Sequence, residues 1–235
     1  MSLFNRFQGV FFSPQPTLKE ISEKPVWVDA LIILLIVSAV FAYIIAPYSS
    51  QDSLKAMKDN VKLQERLGKE RYEASIKSLE NPSQMSVILR TVLWSALGLA
   101  IGLLVSSLFL LIIGRLVSTE GAFIAVFTVL LHANFIDKIL GNAVRLVLIL
   151  TRKSVIQTTT SLALLVPNAD FTSTPFILLS QADFFQLWMF AVIGYGLSFV
   201  FKISTKKAMV IAYSFWFVKS LLYIALLFLS RSFLG

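Results

Sequence analysis

Five apolar runs set the pattern of the chain, at residues 28–47, 87–113, 122–150, 184–201 and 208–229, with polar links between them. A helix needs about 20 apolar residues to cross the roughly 30 Å hydrocarbon layer of a bilayer. The runs therefore predict an all-α, polytopic integral membrane protein with five transmembrane helices. Trp27 and Tyr48 flank the first run as interfacial anchors. The second carries Gly98, Gly102 and Ser106 on one face. Small residues so spaced let helices approach closely, and packing within this chain is the expected use. At about 1.5 Å per residue the third run exceeds the hydrocarbon thickness. It must tilt, break near Gly141, or lie partly in the interface.

Residues 1–26 precede this 27–235 membrane domain. Leu3, Phe4, Phe7, Val10 and Phe11 share one helical face while Asn5, Arg6 and Gln8 lie elsewhere, which predicts a short interfacial helix. Ser13-Pro14 interrupts it. Thr17 with Glu20 reads as a capping box opening a second short helix that ends before Pro25. The segment before Pro14 has neither the apolar run nor the cleavage site of a signal peptide.

Two links are long. Residues 49–86 form a polar extramembrane loop whose 51–84 portion alternates seven basic with six acidic residues. Its apolar positions recur at helical spacing, predicting a solvated helical segment broken at Gly68 and stopped at Asn81-Pro82. It acts as a surface cap or as a docking arm for a partner. Residues 151–183 are a mixed connector with short apolar pieces at 162–166 and 176–179, separated by Pro167-Asn168 and Pro175. None is long enough to cross.

Composition agrees with lipid as the solvent. Hydrophobic residues make up 57% of the 235 and charged residues only 14%, against roughly a quarter charged in soluble domains. The net charge of +8 comes from basic residues flanking the apolar runs, where anionic headgroups attract them, so no nucleic acid is expected. With no cysteine, disulfides and thiolate chemistry are excluded. Positive-inside bias places Arg6, Lys19, Lys24, Arg115, Lys202, Lys206 and Lys207 on the cytoplasmic face, and five crossings satisfy that assignment.

No phosphate-cradling, zinc-hydrolase or nucleophile-elbow motif is present, and the single histidine cannot form a His cluster. No catalytic, metal or cofactor site is expected. An intramembrane enzyme would require Asp137 and His132 to converge on one cavity. The third run does carry a polar stripe: at about 100° per residue, Asn134, Asp137, Lys138, Gly141 and Arg145 share one face, with His132 nearly opposite. Each charge costs about 2.5–3.5 kcal/mol at a bilayer centre on insertion scales. The stripe is thus a lining for a lipid headgroup or transported group, an interfacial half-helix lying flat, or a buried ion pair. Lys219, deep in the last run with no acidic residue within a turn, needs a partner from another helix or must snorkel.

The carboxyl-terminal third carries Asp183-Phe184-Phe185-Gln186-Leu187-Trp188, then Gly194-Tyr195-Gly196-Leu197 and Ser204-Thr205-Lys206-Lys207-Ala208. With Phe12-Ser13-Pro14, Leu18, Glu20 and Pro25-Val26-Trp27 near the start, the arrangement resembles the Yip domain, the five-span family of Ypt-interacting proteins. That resemblance implies a cytoplasmic amino terminus. Its eukaryotic members work with small GTPases, but here Asp183-Phe184-Phe185 lacks the following Gly-Pro of their motif, and GTPase binding is not carried over. The chain is more similar to the compact prokaryotic branch, which implies a multi-pass protein of the cytoplasmic membrane associated with transport machinery. The expected function is non-enzymatic: an accessory subunit to a transporter, or a protein holding lipid or a small solute between helices. The alternative is a membrane-shaping scaffold that recruits partners.

Overall fold

The structure is a computed structural model that describes residues 1–58, 61–81, 83–156, 160–166 and 173–234. Among these residues it is helical, with one isolated antiparallel bridge between Ser161 and Asp183. Two short helices, α1 (Leu3–Phe12) and α2 (Pro14–Glu23), precede α3 (Val28–Lys58). The polar link holds α4 (Val61–Leu67), α5 (Lys69–Glu80) and α6 (Gln84–Val87), and a π-helical turn at Ile88–Leu93 leads into α7 (Trp94–Arg115). Then come α8 (Phe123–Phe135), a second π-helical turn (Ile136–Gly141) and α9 (Asn142–Arg152). After α10 (Thr174–Ser180), α11 (Phe184–Val200) and α12 (Thr205–Leu234) complete the chain.

Four helical segments among the described residues are long and apolar enough to cross a membrane: Val28–Lys58, Thr91–Arg115, Phe123–Arg152 and Thr205–Leu229. The remaining apolar run forms α11, shorter at 17 residues. The four differ in burial. In the most apolar window of Phe123–Arg152, 72% of residues are buried, against 17%, 17% and 22% in the others. Segment Phe123–Arg152 is therefore the central pillar, and its Val126, Val129, Leu131 and Ile136 form one core with Phe190, Ile193 and Leu197 of α11. The outer helices show the reverse pattern. Ile36 of α3, Phe109 of α7 and Leu226 of α12 are more than half exposed, as side chains facing lipid should be.

Several boundaries move from where the sequence pattern puts them. Helix α3, formed by the first apolar run, continues past Pro47 to Lys58. Proline removes one backbone hydrogen bond, but the extension is anchored beyond it. The Asp52 carboxylate accepts hydrogen bonds from Ser154 Oγ at 3.0 Å and from the amides of Val155 and Ile156 at 2.7 and 3.2 Å. Lys153 lies over the Tyr48 ring, 5.6 Å from its centroid. The third run does not break near Gly141; it is one helical body from Phe123 to Arg152 with a π turn in the middle. In the polar link, Gly68 separates α4 from α5 at φ +74°, a conformation open to glycine. Asn81 caps α5. Pro82 and Pro167-Asn168 lie outside the described residues.

The amino-terminal helices form a hairpin docked on the bundle. Helix α2 starts a turn before the expected capping box, at Pro14, a residue suited to the first helical position. Thr17 is interior to the helix, and its hydroxyl donates to the Ser13 carbonyl at 2.8 Å. Gly9 lets the two helices close, since a Cβ there would stand 2.1 Å from Thr17 Oγ1. The apolar face turns inward against protein: Val10, Leu18 and Ile21 are buried, Phe7 packs on Phe135, and Phe11 packs on Trp188. Arg6, assigned to the polar side by helical periodicity, is buried as well.

At one end of the bundle the Phe201 ring rests on Gly114 and Gly121, where an added Cβ would come within 2.1 and 2.5 Å of it. Gly121 also has φ +102°, which favours glycine at this turn between α7 and α8. Ser118 Oγ donates to the Phe201 carbonyl at 2.7 Å and fastens the same corner.

Candidate polar cavity between the helices

Two separate polar networks involve the central pillar, and the π turn at Ile136–Gly141 positions one of them. Such a turn inserts an extra residue into the helical ladder and re-aims the side chains on it, which is common at functional sites. Asp137 and Lys138 stand on this turn and pair at 2.8 Å. One turn beyond it, Arg145 reaches back, Nη2 donating to Asp137 Oδ1 at 2.8 Å and Nη1 to the Asp137 carbonyl at 3.3 Å. The same Nη2 meets Asp183 Oδ1 at 3.0 Å. Gly141 makes room, since a Cβ would lie 3.0 Å from Arg145 Nη1 and 3.1 Å from Phe185.

Asp183 joins the connector to the bundle. It is the N-cap of α11, its Oδ1 accepting from the amides of Phe185 and Gln186 at 2.9 and 3.2 Å. Its other oxygen accepts from the Thr160 hydroxyl. In the sequence Asp183 ends the mixed connector and opens the Asp183-Phe184-Phe185 motif. Its position before an apolar run signalled a cap, whereas nothing local signalled Arg145 as its partner.

Beside this network is a cavity of about 570 Å³ between α3, α7, the π turn, α11 and α12. Asn134, Asp137 and Lys138 line it, and Lys219 enters from α12. Arg145 is not among the lining residues; it holds Asp137 from behind. Gly98, Gly102 and Ser106 of α7 line the facing wall. Added Cβ atoms at the two glycines would meet nothing within 4 Å. Their small size thus borders open space and serves no tight helix seam in this chain. Leu99 and Leu103 of α7 and Phe41 of α3 add apolar surface to the lining.

Lys219 takes a neutral partner from another helix. Its Nζ donates to Gln186 Oε1 at 3.3 Å and stands 5.5 Å from the centroid of the Phe190 ring. Among the described residues no carboxylate lies within ion-pair distance of it.

The second network is separate from the cavity, which none of its side chains lines. His132 Nδ1–H donates to the Thr128 carbonyl at 2.8 Å, which leaves the Nε2 lone pair to accept from Arg6 Nη1 at 3.1 Å. Arg6 also donates to the Val26 carbonyl at 2.8 Å and pairs with Asp29. Asp137 and His132 therefore do not converge: Asp137 lines the cavity, and His132 ties the amino-terminal hairpin to the bundle. Among the described residues no group of three or more His, Asp or Glu could hold a metal ion. Arg6 and Asp29 lay outside the sequence-derived candidates because Arg6 meets His132 across 126 residues and Asp29 across 23.

The family model of the Yip1 domain matches residues 9–227, nearly the whole chain. No curated protein and no solved structure shows a significant match.

Proposed function

Since the chain belongs to the Yip1 domain family, we propose that it is a non-enzymatic, five-crossing protein of the cell membrane whose polar cavity holds a lipid or small solute, in transport or as an accessory subunit to a transporter. The observation that carries this is the cavity of about 570 Å³ with charged groups on one wall and apolar side chains on another. Pockets of this size and mixed lining suit small-molecule ligands, and intramembrane ionisable groups mark ligand or ion pathways.

Helix α11 is the fifth crossing. Its 17 residues give a rise of about 25 Å, within the range for spanning helices, and it stands against the central pillar. An odd number of crossings leaves the amino terminus and the Lys202–Lys207 link on the cytoplasmic face. The cavity then belongs to the opposite half of the membrane, where α7 and α11 begin.

Filling the cavity tests the assignment. The double variant G98L/G102L adds bulk where an extra Cβ meets no atom, so the fold is retained while the space is lost. Native mass spectrometry of protein extracted from membranes should show bound lipid or solute in the parent and several-fold less in the variant. A parent that carries no small molecule would overturn the proposal.

The hairpin favours a second reading, a membrane-shaping scaffold, because Phe12 at its tip is 83% exposed and Phe4 is 64% exposed. Exposed aromatics on short helices wedge into an interface. Under this reading the F4S/F12S variant loses vesicle deformation. Under the first it keeps its bound molecule.

A further inference from the structure

We infer that the cavity takes an anionic lipid, its phosphate-bearing headgroup met by Lys219 and Lys138 and its acyl chains lying along the α3–α7 wall. The inference rests on the ligand-holding role proposed above and names the ligand class.

Charge balance comes first. The polar wall and the network behind it contain three cations, Lys138, Arg145 and Lys219, and two carboxylates, Asp137 and Asp183. Both carboxylates are engaged elsewhere. Asp137 bonds Lys138 and Arg145, and Asp183 bonds Arg145, the Thr160 hydroxyl and two amides of α11. Lys219 is left with an amide oxygen and an aromatic face. Lys219 is exposed, and on a helix long and apolar enough to cross a membrane its ammonium favours an anion as its partner. The lysine is a compact charge with three donors, one of them on Gln186.

The shape of the lining selects a lipid over a free anion. Across from the polar groups, Phe41, Leu99 and Leu103 offer apolar surface. Helices α3 and α7 bury few of their side chains, so a molecule whose head sits by Lys219 continues outward along lipid-facing helices. The exposed backbone at Gly98 and Gly102 leaves that wall unobstructed. A free phosphate would use the polar groups and leave the apolar wall unfilled.

The full chain in nanodiscs tests this, with phosphatidylglycerol and phosphatidylcholine offered together and bound lipid read by native mass spectrometry. Inorganic phosphate is titrated separately against the detergent-solubilised protein. The expected result is retention of phosphatidylglycerol over phosphatidylcholine by about tenfold. K219M should bring the ratio near one, and K219R should keep it. K207M, at the exposed start of α12, should leave it unchanged and so reports any general effect of basic residues. Equal retention of both lipids, lost in G98L/G102L, overturns the anionic specificity while the ligand-holding role stands. No retained lipid of either kind overturns both. Saturable binding of inorganic phosphate, with neither lipid retained, identifies a free-anion site and overturns the lipid assignment.

Discussion

Replacing Arg145 with methionine lowers the stability of the bundle by about 3–5 kcal/mol, the usual cost of breaking a buried ion network from one side. The size follows from what remains. The side chains of Asp137 and Asp183 are 5% and 9% exposed, and without the guanidinium both carboxylates keep their burial and lose their shared cation. Methionine fills similar space, so little of the effect is lost packing. In detergent the thermal midpoint of R145M should fall by about 10 °C. Adding D183N should recover part of the loss. It removes one stranded charge, and asparagine still caps α11. An unchanged midpoint in R145M would show that the two carboxylates do not depend on Arg145.

Replacing Arg6 with alanine should detach the amino-terminal hairpin without unfolding the bundle. Arg6 is 5% exposed and reaches His132, Asp29 and the Val26 carbonyl. The Asp29 side chain is 37% exposed, so solvent screening discounts that pair. Hydrogen bonds from a charged donor still leave about 2 kcal/mol. That corresponds to about a thirtyfold rise in the population of the opened hairpin. The absence of cysteine allows a direct readout, because V10C places a single thiol at a position with no exposure. Maleimide labelling of V10C should be slow in the parent background and about thirtyfold faster with R6A, while the midpoint of the bundle moves little. Equal labelling rates would mean that apolar contacts alone hold the hairpin.

Periodicity was a sound guide to features with a local cause. Each of the five apolar runs is helical in the described residues, and the break at Gly68 comes from a backbone conformation that glycine adopts freely. Asn134, Asp137 and Lys138 share a wall because adjacent turns of one helical segment place them there. Features with a distant cause were not legible. Arg145 meets Asp183 across 38 residues, and Arg6 meets His132 across 126; neither pairing leaves a mark on the residues around it. Helical periodicity put Arg6 on the polar side because it assumes that a short amphipathic helix has one partner, the membrane surface. The hairpin has protein on that side. Arg145 left the cavity wall for a related reason: a uniform 100° step does not anticipate a π turn between it and Lys138.

The docked hairpin constrains how the protein is made. Residues 3–23 seat on surfaces supplied by α8 and α11, which leave the ribosome long after them. Until those helices have been inserted, Phe7, Val10, Phe11 and Leu18 have no protein surface to cover them and must wait at the lipid headgroups. Closing contacts across so much chain is slow, so this seating comes late in biogenesis. A truncated product lacking α11 would keep its early apolar segments uncovered, a signal that membrane quality control can read.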